Sequence, residues 1–283
     1  MGYFEQEEIH FEKGLFDSIC DAVYILTMKN STRRKQYMCQ INEFKLHQNI
    51  FIMKNKGYKN YTKKVCNRKN ECKIINDPPT DITNAYVNTL KHAKSMKYEK
   101  IIILEDDFIC SPELKNEIHI KNIEAFTSHM NDSTIFSFGV LPFITTYHDQ
   151  FIRRSWVSTG IHATLIPKSF FNKIIDEEYY IDDIDVYLQF ISRRYIYYKP
   201  LITQRFPITE NFQHWGNNCV GEFGGIIFRL IMRQIIVTFG LDQREEPGTS
   251  KIYWINQLTY DYVIPLVFII LIFICIMPIE NTR

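Results

Sequence analysis

Lys100-Ile101-Ile102-Ile103-Leu104-Glu105-Asp106-Asp107-Phe108 is the stretch on which the fold turns. Four unbroken apolar residues, three of them β-branched, read as a strand buried on both faces. The run stops abruptly at three adjacent carboxylates. In an open α/β sheet, ligands bind outside the carboxyl ends of the strands, so the triplet stands where chemistry is expected. Three neighbouring carboxylates repel one another, and a cation or open solvent has to compensate them. Mg²⁺ or Mn²⁺ takes oxygen ligands and needs one or two protein carboxylates when phosphate oxygens complete its shell. A solvated acidic turn is the plainer alternative for an E-D-D tripeptide.

Working outward, Asp21 to Thr27 and Asn49 to Lys54 read as two more buried strands, with a helix over Lys35 to Phe44 between them. Asp81 or Thr83 is expected to cap a helix that sets Ile82, Tyr86, Leu90 and Ala93 on one face. Beyond the triplet, Ser111-Pro112 starts a helix with Leu114, Ile118, Asn122, Phe126 and Met130 four apart. Strands are expected over Ile135 to Gly139, His162 to Pro167 and Tyr195 to Tyr198, and helices over Ser169 to Asp176 and Ile184 to Arg193. Strands alternating with helices predict an α/β domain with a mostly parallel, Rossmann-like sheet flanked by helices.

The rest of the composition narrows the class. With 283 residues, 46% hydrophobic and 23% charged, the chain suits a folded domain with an appendage. A formal net charge of +1 gives no global attraction to nucleic acid, and none is expected as a partner. Lys54 to Lys73 carries eight basic residues against Glu71, a local excess that suits either solvent or an anionic surface. Seven cysteines without a C-x-x-C pair argue against structural zinc. The first nineteen residues do not read as a secretory signal, which predicts reduced thiols; Cys66 and Cys72 are the pair to suspect otherwise.

Tyr262 to Ile279 (YVIPLVFIILIFICIMPI) carries no charge and is long enough to approach a bilayer crossing. The division expected is a catalytic domain over 1–241, a polar connector over 242–261 and a transmembrane tail anchor over 262–279. Such an anchor leaves the domain facing the cytosol. Ile226 to Phe239 places Arg229 and Arg233 on one side of an apolar helix, which suits a membrane surface or packing on the domain.

Five pieces in order resemble the family 25 glycosyltransferases, the lipopolysaccharide-modifying and collagen galactosyltransferase group. They are Val23-Tyr24-Ile25-Leu26 followed by Arg33 and Arg34; Thr83-Asn84-Ala85 ahead of IIILEDDF; Gly160 to Lys168; Asp182-Asp183-Ile184-Asp185; and Pro200-Leu201-Ile202-Thr203-Gln204. Together they span Ala22 to Arg205, about two thirds of the chain. Thr83-Asn84 stands where many members carry Ser-His, and Thr164 where many carry an aromatic residue.

The resemblance implies a GT-A fold and a metal-dependent transfer of sugar from a nucleoside diphosphate donor, UDP first among them. The acceptor would be a hydroxyl on glycan, protein or lipid. It implies that Asp107 ligates Mn²⁺ or Mg²⁺, that Glu105 or Asp106 contacts the ribose or the metal's water shell, and that Arg33 and Arg34 meet the diphosphate. An inverting transfer also needs a base; Asp185 is the first candidate and Asp183 the second, one of Asp182 and Asp183 being the cap of the following helix. His214-Trp215-Gly216 is weighed as a lining of the sugar site, against simple loop packing. Two other classes stay open. A membrane-anchored scaffold with a degenerate fold would bind without turnover, and a metal-dependent phosphodiesterase would need more His and Asp ligands than His92 and His119 offer.

Overall fold

The computed structural model describes residues 4–205, 211–242 and 248–276. Thirteen strands and eight α-helices are described. The strands are β1 (Phe4–His10), β2 (Ala22–Met28), β3 (Asn49–Asn55), β4 (Lys64–Cys66), β5 (Cys72–Ile74), β6 (Lys100–Glu105), β7 (Phe108–Cys110), β8 (Thr134–Ser137), β9 (Leu141–Tyr147), β10 (Ile152–Thr159), β11 (Ala163–Pro167), β12 (Arg193–Tyr197) and β13 (Ile202–Gln204). The helices are α1 (Arg34–Phe44), α2 (Pro78–Ser95), α3 (Glu117–Ser128), α4 (Ser169–Glu177), α5 (Ile184–Ile191), α6 (Asn217–Phe239), α7 (Thr249–Leu258) and α8 (Ile264–Ile276).

Nine strands form one sheet in the order β1-β3-β2-β6-β11-β8-β12-β10-β9. The solid apolar runs are explained by helices on both faces. Along β2 and β6, Val23, Ile25, Ile102 and Leu104 pack with Tyr37, Ile41 and Ile123 on one side. Ala22, Tyr24, Ile101 and Ile103 pack with Tyr86, Leu90, Phe171 and Ile174 on the other. Both cores exclude water, so alternation of polar residues is absent where it would mark a half-buried strand.

The sheet is mostly parallel in the direction of its strands, as expected, and mixed in its pairings. β2 pairs in parallel with β3 and β6, and β8 with β12, while the other five of the eight pairings are antiparallel. Six of the nine strands nevertheless point the same way, because β1, β10 and β11 are the reversed ones. β11 sits between β6 and β8 and turns the sheet over at the site.

Several local expectations are corrected. α2 begins at Pro78, capped by Asp77, whose carboxylate accepts from the Thr80 amide at 2.9 Å. Asp81 instead accepts from Asn55 Nδ2 at 3.1 Å, so it ties the helix to β3. Ser111-Pro112 opens a single 3-10 turn, and α3 restarts at Glu117 with His119, Ile120, Ile123 and Thr127 inward; Ile118 is exposed. Reduced thiols fail at one pair: Cys66 and Cys72 are bonded across the β4–β5 hairpin inside the basic loop.

The connector is the largest correction. From Thr249 the chain is helical, and α7 packs along β9: Asn256 Nδ2 donates to Phe143 O at 3.0 Å, and Tyr253 Oη accepts from the Val140 amide at 3.2 Å. Arg153, almost fully buried on β10, grips Asp261 through two 2.6 Å bonds. α8 follows, with its side chains from Pro265 to Ile272 exposed. Among the described residues one helix, Thr249–Ile272, is long and apolar enough to cross a membrane. Residues 277–279 of the expected anchor lie outside the described residues.

Candidate active site

β6 ends at Glu105, and Asp106 and Asp107 form the turn into β7. β7 pairs with β13 so that Phe108 faces Gln204, and this swings the Gln204 amide over the carboxylates. Its Nε2 lies 3.2 Å from Asp107 Oδ2 and 3.4 Å from Glu105 Oε2. The three acids open into a cavity of about 520 Å³ whose lining includes Thr27, Ser31, Arg33, Tyr58, Asp81, Gln204 and Trp215. A second cavity of about 290 Å³ is lined by Gly160, Asp183, Asp185, Phe228 and others. Ile82, Glu105, Gln204 and Trp215 line both, so the two are compartments of one cleft. The combined space is of the size that small-molecule sites occupy.

The three acids differ sharply. Asp106 is fully engaged: Thr27 Oγ1 and Ser31 Oγ each donate to its Oδ2 at 2.6 Å, and Arg33 Nη1 meets Oδ1 at 2.8 Å. It clamps the β2–α1 turn against β6. Asp107 receives Gln204 and a longer 3.5 Å contact from Arg33 on Oδ2, while its Oδ1 is buried without a hydrogen-bond partner. Burial pushes the Asp107 carboxyl above the usual range, and Arg33 only partly offsets this. Glu105 is raised more, first by burial and then by the charges of Asp107 and Asp106; Tyr86 Oη donates to it at 3.4 Å. A buried acid with an orphaned oxygen, pressed by like charges, is what a cation would relieve. Among the described residues no three His, Cys, Asp or Glu side chains converge as a ready-made metal cage. Asp107 and Glu105 are the carboxylates that could hold a cation here.

The expected arginine pair divides. Arg33 lines the cavity and touches two of the three acids. Arg34 is turned away to the sheet edge, where both its terminal nitrogens bond Glu7 of β1 at 2.7 and 2.9 Å. With Lys54 it holds the Glu7 carboxyl down to about 2. The structure does not bring Arg34 to the cleft.

The two base candidates, Asp185 first and Asp183 second, sit in different surroundings. Asp185 is spent on the protein: Oδ1 accepts from fully buried Arg194 at 3.0 Å, and Oδ2 accepts from the Gly160 amide at 2.7 Å and Thr159 Oγ1 at 3.2 Å. Asp183 is the cap of α5, its Oδ1 accepting from the Asp185 and Val186 amides. Burial and the neighbouring Asp185 charge raise its carboxyl to about 6. Both line the smaller compartment.

The remaining motifs settle readily. Trp215 stands at the junction of the compartments, and Gly216 takes a positive φ of 81° beside the Phe228 ring. Three cations of the basic loop are held in ion pairs, Lys54 to Glu7, Arg68 to Asp176 and Lys73 to Asp182. His92 bonds Tyr24 Oη at 2.7 Å and His119 bonds Tyr197 Oη at 2.9 Å, both in packing roles. Sequence reasoning missed Thr27, Ser31, Tyr86 and Arg194, which hold the acids in place. Comparison with known proteins finds no protein-family model and no curated protein that matches this chain.

Proposed function

We propose that the chain is a metal-dependent glycosyltransferase of GT-A type, taking sugar from a nucleoside diphosphate, UDP first, to a hydroxyl acceptor. The observation that carries the reading is the buried, partnerless Oδ1 of Asp107 at the carboxyl end of β6, in a cleft with Arg33 on its wall. Asp107, with Glu105 behind it, would hold Mn²⁺ or Mg²⁺. A cation bound there supplies neutralising charge to the diphosphate leaving group. Arg33 offers its guanidinium to the same phosphates, while Asp106 keeps the β2–α1 turn closed beneath them. Trp215 gives the donor a flat apolar wall, and the smaller compartment takes the acceptor. For an inverting transfer, Asp183 accepts the acceptor hydroxyl's proton and Asp185 fixes the α5 terminus that presents it.

A binding module without turnover is favoured by one observation. Arg33 already neutralises the acids, with 2.8 Å to Asp106 and 3.5 Å to Asp107. Turnover separates the two. Incubation of the full-length protein with a panel of UDP-sugars and Mn²⁺ is expected to release UDP, and chelation of the metal is expected to stop it. Binding of UDP with no release from any sugar, with or without candidate acceptors, favours the module.

A further inference from the structure

We infer that the disulfide-closed β4–β5 hairpin is a redox-sensitive strap that holds the wall of the smaller compartment in place. The strap acts on the shape of the cleft, whatever reaction the cleft hosts. Cys66 and Cys72 form the last pair of a short antiparallel ladder, six positions apart in sequence, and both are exposed. So short a two-stranded ribbon has little stability of its own. Its base is fixed by other means: Val65 and Ile75 are buried, and Lys63 bonds Asn84 of α2. The bond therefore governs the tip, residues 67–71. There the Asn67 side chain accepts from the amides of Lys69 and Glu71, both at 2.9 Å, and Asn70 takes a positive φ of 62°.

The hairpin reaches across to the segment that leads into α5. Arg68 Nη2 meets Asp176 of α4 at 2.7 Å. Asn67 Nδ2 donates to Tyr180 Oη at 3.3 Å, on the 3-10 turn Glu178–Tyr180. Lys73 Nζ meets Asp182 at 2.8 Å and lies 5.6 Å from the centroid of the Tyr179 ring. The next residue is Asp183, whose carboxylate caps α5 and lines the smaller compartment. At its other end the same excursion lines the larger compartment through Tyr58. Exposed ion pairs are each worth about 0–1 kcal/mol, so these ties hold together only while the hairpin keeps its shape. Both sulfurs are open to thiol–disulfide exchange. A dithiol reductant attacks one sulfur as its thiolate and releases the other cysteine, which takes a proton. The reductant's second thiolate then closes a cyclic disulfide and frees the remaining cysteine, so the protein gains two electrons and two protons. With the bond open the tip frays, Asp182 loses its hold, and the capped head of α5 loosens.

The test is amide hydrogen exchange of the full-length protein in detergent, without substrate, before and after treatment with dithiothreitol. Mass spectrometry follows the gain of two hydrogens at the opened bond and the deuterium uptake of fragments covering 64–74 and 178–191. A fragment over α3, on the opposite face of the sheet from α5, is the reference. Reduction is expected to speed early exchange over 64–74 and at the head of α5 about tenfold, with α3 unchanged. The Cys66→Ser, Cys72→Ser double variant is expected to match the reduced protein and to ignore the reductant. Faster exchange confined to the hairpin, or equal loosening of α3, overturns the inference. So does a response to reductant that persists in the double variant, or no change once the bond has opened. With no substrate present, none of these outcomes depends on the transfer reading.

Discussion

Asp183 and Asp185 stand two residues apart at the head of α5 and carry different burdens. Asp185 balances a fully buried guanidinium, and its own side chain is only partly exposed. Asp185→Asn leaves Arg194 without its charge partner, which is expected to cost about 3 kcal/mol of stability in chemical denaturation. Asp183→Asn keeps a capping oxygen and is expected to unfold like the parent protein, yet to lose at least a hundredfold in transfer rate with donor binding kept, about the contribution of a general base. Retained turnover in that variant would remove Asp183 from the mechanism. His162 offers an independent check of how dry the site is. Burial lowers its pKa from 6.5 to about 4. The unfolded chain then binds the extra proton between those values, so its contribution is complete above pH 6.5 and is lost as pH falls toward 4. The stability difference between parent and His162→Gln is expected to shrink by about 3 kcal/mol from pH 7 to pH 4. A difference independent of pH would mean that His162 is solvated. The acids were legible because residue type and place after an apolar strand are local signals; Arg33 came only with the family resemblance. Thr27 and Ser31 were not, since they reach Asp106 from 79 and 75 residues away.

At the level of elements, apolar runs were read correctly and polar ones were not. β2, β3 and β6 sit between two hydrophobic layers and show it in their composition. β1 escaped notice because its Glu5 and Glu7 form ion pairs at the sheet edge with Lys29, Lys54 and Arg34. β9 and β10 escaped because Arg153 and Thr145 are buried by hydrogen bonding to each other and by α7, whose polar inward residues looked like a connector. α7 is thus part of the domain. Asp261→Ala strands Arg153 in the interior and is expected to lower the unfolding free energy by about 3 kcal/mol while α8 itself stays helical. A change below about 0.5 kcal/mol would mean that α7 is docked only loosely. The Cys66–Cys72 bond closes a short loop, and Cys66→Ser is expected to cost about 2 kcal/mol, measured under non-reducing conditions.

For the whole molecule, the direction of the strands brings the carboxyl ends of β2 and β6 to one side, where Ser31, Arg33 and the acids meet across the turns. Antiparallel β11 returns Gly160 and the α5 terminus to the same place. That convergence was legible only as an ordered set of short motifs, and mixed pairing was not legible at all, because a strand buried on both faces has the same composition in either direction. A disulfide persists best in an oxidising compartment, so the Cys66–Cys72 bond pulls against the expectation of reduced thiols. The central claim, a metal-assisted diphosphate site, is tested most directly by calorimetric titration of UDP into the full-length protein in detergent, with Mn²⁺ and then with chelator. The account predicts binding that requires the metal and vanishes in Asp107→Asn. Equal UDP affinity with and without the metal, or in Asp107→Asn, would contradict it.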